Sequence, residues 1–169
     1  MTRTKKLIFA ALCVALGVVL PLFFHGVPNA GSVFLPMHIP VLLCGLICGP
    51  WLGLCCGVLA PLLGSLISGM PPIAFLPSML CELAVYGLVA GLLLKVFRGR
   101  AAVFCSLVGA MIAGRLVMGL LNSLIFRVGE YGWTVWLTAS FVTALPGIII
   151  QLVILPIVIF ALKKAKLIA

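Results

Sequence analysis

Arg115 is the residue whose chemistry most needs explaining. It stands near the centre of an apolar stretch, residues 101–126, that is long enough to cross a bilayer as one helix. Bringing a guanidinium to the bilayer midplane costs about 2.5–3.5 kcal/mol on insertion scales, and the group does not escape by deprotonating. It requires a water-filled cavity, a partner within the protein, or an anionic ligand. Met111, Arg115, Met118 and Asn122 follow the i, i+3/i+4, i+7 rule and share one helical face. That face is expected to wall a polar pocket. The alternatives are an arginine paired for structure alone or one that snorkels to an interface.

Few other side chains can join it. The chain has two acids, Glu82 and Glu130, and no aspartate. Glu82 and Tyr86 lie four apart on one face of a second span, Asn122 lies near the outer end of the Arg115 span, His38 opens another, and Gln151 falls inside the last. These groups come from four spans and are expected to converge on a cavity reached from outside. Each has a plainer role open to it. Glu82 suits the counter-ion of Arg115 or a cap for backbone amides near Pro77. Gln151 suits a bond between helices, His25 and His38 suit loop or interface positions, and Trp133 and Trp136 suit an interfacial belt.

Catalysis finds little material. The serines form no G-x-S-x-G elbow, and H-E-x-x-H and the P-loop are missing. One glutamate near a helix end is thin stock for a proton or sodium relay. The seven cysteines all lie in apolar runs without a CxxC pair or Cys/His zinc spacing, and read as small hydrophobes. Neither an enzyme, a metal site, a disulfide nor a cofactor is expected.

Elements must hold these groups in place, and composition says which kind. Of the 169 residues 65% are hydrophobic and 8% charged, against about 45–50% and ~25% in soluble domains. Mean hydropathy is +1.43. The expected class is an all-α membrane protein, one domain of six transmembrane helices over about 6–24, 38–48, 51–68, 78–97, 102–126 and 137–162. Gly49-Pro50 divides a tract too long for one helix. Gly45, Gly49, Gly53 and Gly57, at intervals of four, favour tight helix contact or a sharp reversal. The second span is short, so tilt or a dipping loop before it is expected. Pro146-Gly147 is read as a kink in the last span and Pro156 as a further breaker. The basic N-terminus with its long apolar run is read as a retained first span rather than a cleaved leader.

The net charge of +9 does not point to nucleic acid. Nine of the eleven basic residues form three clusters, Arg3/Lys5/Lys6, Lys95/Arg98/Arg100 and Lys163/Lys164/Lys166, each flanking an apolar run as the positive-inside rule requires. Four spans between the first two clusters and two between the last two return the chain to one side each time. Both termini are therefore expected in the cytoplasm, with loops 25–37, 69–77 and 127–136 outside. Arg115 and Arg127 stand apart from the clusters.

With these residues in view, the chain resembles the substrate-binding S components of energy-coupling factor vitamin transporters. The resemblance rests on Leu35–Gly45 (LPMHIPVLLCG), Gly49–Gly53 (GPWLG), Pro61–Ser65 (PLLGS), Glu82–Gly87 (ELAVYG) and Pro146–Gln151 (PGIIIQ), with the small-residue strip Ala11-x-x-x-Ala15. It covers nearly the whole chain and is most similar to pantothenate-type members. It implies a multi-pass subunit of the prokaryotic plasma membrane that binds a small vitamin from outside. Docking on an energy-coupling transmembrane subunit, through Ala11, Ala15 and Gly17, would precede toppling and inward release driven by two cytoplasmic ATPases. On this resemblance Arg115 meets a carboxylate, and Asn122, Tyr86 and Gln151 meet amide and hydroxyls, with Glu82 and His38 beside them. Folate, a pyridoxine precursor, niacin or a queuosine precursor would also fit such a pocket. Cationic thiamine, which a buried arginine repels, and riboflavin fit less well. A stand-alone carrier, an intramembrane enzyme and a ligand-free structural subunit are the other classes considered.

Overall fold

The computed structural model describes residues 1–24, 26, 30–97, 99, 101–126 and 131–168. His25, Arg98, Arg100, Arg127 and Glu130, all named above, lie outside the described residues. The helices are α1 (Arg3–Phe23), α2 (Ala30–Phe34), α3 (His38–Cys48), α4 (Pro50–Ser68), α5 (Leu76–Val96), α6 (Ala101–Leu121), α7 (Trp133–Leu137) and α8 (Leu145–Lys164). α6 runs on as a π-helical turn, Asn122–Phe126, and α7 as another, Thr138–Thr143. No strand is present among the described residues.

Among the described residues six segments are long and apolar enough to cross a membrane: α1, Gly31–Cys48, α4, α5, Ala101–Phe126 and α8. A 21-residue helix such as α5 rises about 31 Å, matching the hydrocarbon core. α3 with 11 residues cannot span alone, and α2 makes up the second crossing across a break at Leu35–Met37. At that break Leu35 holds φ 51°, a left-handed conformation that a branched side chain adopts at a cost of about 1–3 kcal/mol.

α5 lies at the centre and packs on α3, α4 and α6; α1 packs on α3 and α4, and α8 lies against α2, α3 and α6. Glycine makes the central seam possible. A Cβ on Gly87 of α5 would run into the backbone of Gly53 on α4, and one on Gly57 into that of Leu83. Both readings of the glycine series hold at different members. Gly45, Gly53 and Gly57 face α5, whereas Gly49 has φ 102° and open space around it, and makes the reversal between α3 and α4.

The last span departs from expectation. It begins at Leu145 rather than near 137, and residues 138–143 form the separate π turn, ending at Ala144. Pro146 sits in the first turn of α8, where its missing N–H leaves no helical bond broken, so it starts the helix and does not kink it. Pro156 lies inside α8 without ending it.

Candidate functional site

A cavity of about 460 Å³ opens among the ends of these helices. Its polar wall is made by Ser32 on α2, His38 at the start of α3, Ser78 and Glu82 on α5, Arg115 and Asn122 on α6 and its π turn, and Tyr131 before α7. All three loops expected to be external reach it, the third through Tyr131 and Val135. Gly31 to Met37 contribute from one side and Met70 to Phe75 from the other, with Met118 and Met79 among the apolar surfaces. Another hollow of about 430 Å³ lies between Met1, Thr2, Lys5 and residues 166–168, but it is walled by the chain ends and has no buried charge.

Local structure explains how each group arrives. Arg115 is only 5% exposed, although it stands at mid-helix in α6. Its Nε lies 3.5 Å from Glu82 Oε1, and His38 Nε2 lies 3.7 Å from the same oxygen. One carboxylate oxygen thus stands between a guanidinium and an imidazole. Neither approach meets hydrogen-bond geometry. Glu82 Oε1, Arg115 Nε and Nη2, and both ring nitrogens of His38 are buried without a hydrogen-bond partner. Buried polar atoms are nearly always satisfied; here three of the five face one another across the Glu82 contacts, and Arg115 Nη2 and His38 Nδ1 are left without any partner of that kind.

The expected residues divide into two groups. His38, Glu82, Arg115 and Asn122 meet in the cavity wall. Tyr86 and Gln151 are not in it. Tyr86, 1% exposed, sets its ring edge-on to His38 at 5.1 Å and so backs the imidazole. Gln151 donates from Nε2 to the Leu35 carbonyl at 3.4 Å, the same carbonyl that accepts from the His38 amide at 3.1 Å. It holds the strained break that places His38, and its reach is spent there. Met111 is buried on the Arg115 face without lining the cavity.

Of the two tryptophans read as belt aromatics, one acts otherwise. Trp133 is 72% exposed, as a belt residue would be, but Trp136 is 8% exposed and its Nε1 donates to the Arg115 carbonyl at 3.0 Å. Its indole lies on Gly119, where a Cβ would collide with the ring. Tyr131 is buried in the cavity wall. Gly119, one turn beyond Arg115, was the available sign that something large rests on that face; Ser32 and Ser78 carried none.

In the small-residue strip Ala11 and Ala15 are exposed, while Gly17 faces inward against Ala60 of α4. Gly17 therefore serves contact between α1 and α4 and does not share the outward strip. Among the described residues no group of three or more His, Cys, Asp or Glu side chains is placed to hold a metal.

Among the described residues, six helical segments apolar enough to cross a membrane enclose a cavity whose wall carries a buried guanidinium, carboxylate and imidazole. The chain matches the family described as ECF transporter, substrate-specific component, over residues 5–159, and it belongs to that family. Among the curated proteins and the solved structures nothing matches it. It is a substrate-specific, membrane-embedded transport subunit and not an enzyme.

Proposed function

We propose that the protein is the high-affinity binding subunit of an ATP-driven importer for a small water-soluble vitamin, and that the vitamin is pantothenate. The observation that carries this reading is the guanidinium of Arg115 in the cavity wall, with Nε 3.5 Å from Glu82 Oε1 and Nη2 lacking a hydrogen-bond partner. A carboxylate suits it through paired charge-assisted bonds, which are stronger than neutral ones. Pantothenate carries one carboxylate, one amide and two hydroxyls. Asn122, Ser78 and Tyr131 in the wall supply partners for the amide and hydroxyls.

In this reading both termini lie in the cytoplasm of a prokaryotic cell and the cavity faces outward. The stretches 31–37 and 70–75 form the gate over the ligand. Ala11 and Ala15 present a flat, exposed strip to the energy-coupling transmembrane subunit, since small residues let two helix backbones approach closely. Two cytoplasmic ATPases drive reorientation and release.

Mass spectrometry of the small molecule that co-purifies with the protein tests the assignment. Pantothenate is the expected species, with saturable binding when it is added back to the emptied protein. Recovery of folate, niacin, a pyridoxine precursor or a queuosine precursor would overturn the choice of vitamin. A protein that binds none of them would overturn the reading as a whole.

A further inference from the structure

The cavity wall holds, among the described residues, one guanidinium, one carboxylate and one imidazole. With the imidazole neutral its formal charge is zero. An incoming carboxylate would leave one uncompensated negative charge beside buried groups, and such a charge is costly unless paired. Arg115 alone cannot cancel it, because its Nε already lies 3.5 Å from Glu82. A second cation is needed, and the position for it exists. His38 Nε2 lies 3.7 Å from the Glu82 oxygen that faces Arg115, and that oxygen has no hydrogen bond.

We propose that ligand binding draws one proton onto His38. This inference rests on the reading of the ligand as a monocarboxylate. The bound state is then a row of alternating charges: imidazolium, Glu82 carboxylate, Arg115 guanidinium, ligand carboxylate. The proton comes from solvent, and no bond other than N–H forms. Glu82 is the link, since one oxygen answers both cations while the Nη side of the guanidinium is left for the ligand. Imidazole is the side chain suited to this, because its charge changes near neutral pH. Glu82 and Tyr86 from α5 and Arg115 from α6 are the titratable and charged groups that face His38. α1, α4 and α8, which also pack on α3, place no titratable side chain in the cavity wall; Tyr131, before α7, is in the wall as well. The row also explains why Tyr86 backs the ring and Gln151 fixes the break beside it: both hold an imidazole that must stay on one oxygen.

The test is calorimetric titration of the whole protein with pantothenate near pH 7, in buffers of different ionisation enthalpy, with the uncharged alcohol pantothenol as comparison. About one proton is expected to be taken up per pantothenate and none per pantothenol. By the same linkage, pantothenate affinity falls by up to about tenfold per pH unit as pH rises. His38→Gln is expected to bind more weakly with the uptake gone, whereas His25→Gln keeps it. Pantothenate binding without proton uptake, equal uptake for both ligands, or uptake retained in His38→Gln would overturn the inference and leave the functional reading standing. Failure of pantothenate to bind at all would overturn both. If His38→Gln does not fold, the comparison of the two ligands on the unaltered protein decides.

Discussion

Replacing Arg115 with methionine removes the charge while keeping most of the side-chain volume, and it should affect affinity and stability separately. On the ligand side, Nε lies against Glu82 and leaves the Nη edge for a carboxylate. Hydrogen bonds to charged groups contribute about 1.5–3 kcal/mol each. Two of them, taken at the low end because the guanidinium is shared, come to about 3 kcal/mol, or roughly 100-fold in Kd. On the protein side, Glu82 at 5% exposure loses its guanidinium, and breaking a buried pair by removing one partner costs about 3–5 kcal/mol. The double variant Glu82→Gln/Arg115→Met removes both charges. It should regain most of the lost stability and none of the lost affinity.

The assay pairs thermal unfolding of the purified protein with titration by pantothenate and pantothenol. Arg115→Met should melt lower, lose roughly 100-fold for pantothenate, and change little for pantothenol. The double variant should melt near the unaltered protein with the same ligand profile. If Arg115→Met kept the normal preference for pantothenate over pantothenol, the guanidinium would not be the carboxylate's partner. If it melted as the unaltered protein does, the Glu82–Arg115 contact would not be a buried pair in solution.

Two further outcomes are expected. Ala11→Trp/Ala15→Trp should leave binding by the isolated subunit unchanged and abolish uptake in cells, because both positions are exposed and bulk there blocks close helix approach; normal uptake would remove the docking role. Gly87→Ala should lower the melting temperature and the yield of folded protein, since its Cβ would meet the Gly53 backbone, which cannot swing aside like a side-chain end, and overpacking costs about 1–3 kcal/mol or more; a melt unchanged by the substitution would contradict the close seam between α4 and α5.

Much of the architecture was legible because the bilayer constrains it so strongly. Apolar runs of about 20 residues, glycine-proline breaks and the basic clusters leave little choice of span number. The charged part of the site was legible for a related reason: an ionisable group at membrane depth is rare and needs a partner. The second half of the site was not. Gln151 and Tyr86 are polar, buried and on the right spans, yet they act on Leu35 and His38 and not on the cavity. Sequence can place a side chain on a helix, but it does not say which backbone carbonyl lies within reach. Trp136 shows the same limit from the other side. Its position beyond a glycine-rich loop fits a belt residue, and only the turn of α7 against α6 brings its N–H to the Arg115 carbonyl. Pro146 was legible as punctuation but not as the start of α8, because a proline in a first turn and one at a kink read alike without the preceding residues' conformation.

The cavity lies where the helices stop being regular. His38 follows the Leu35–Met37 break, Asn122 begins the π turn after α6, Met70 to Phe75 precede α5, and Ala139 belongs to the π turn after α7. Irregular backbone at membrane depth is tolerated only where protein or a water-filled cavity surrounds it. The candidate site thus sits where spans are interrupted; Gln151 repairs the break before α3 by bonding the Leu35 carbonyl, and Trp136 bonds the Arg115 carbonyl within α6. Those two bonds link α8 and α7 to the elements that carry His38 and Arg115. The residues proposed to touch ligand and the residues that hold the breaks are therefore different sets, and on that proposal substitutions in the second set should disturb affinity without altering which ligand is preferred.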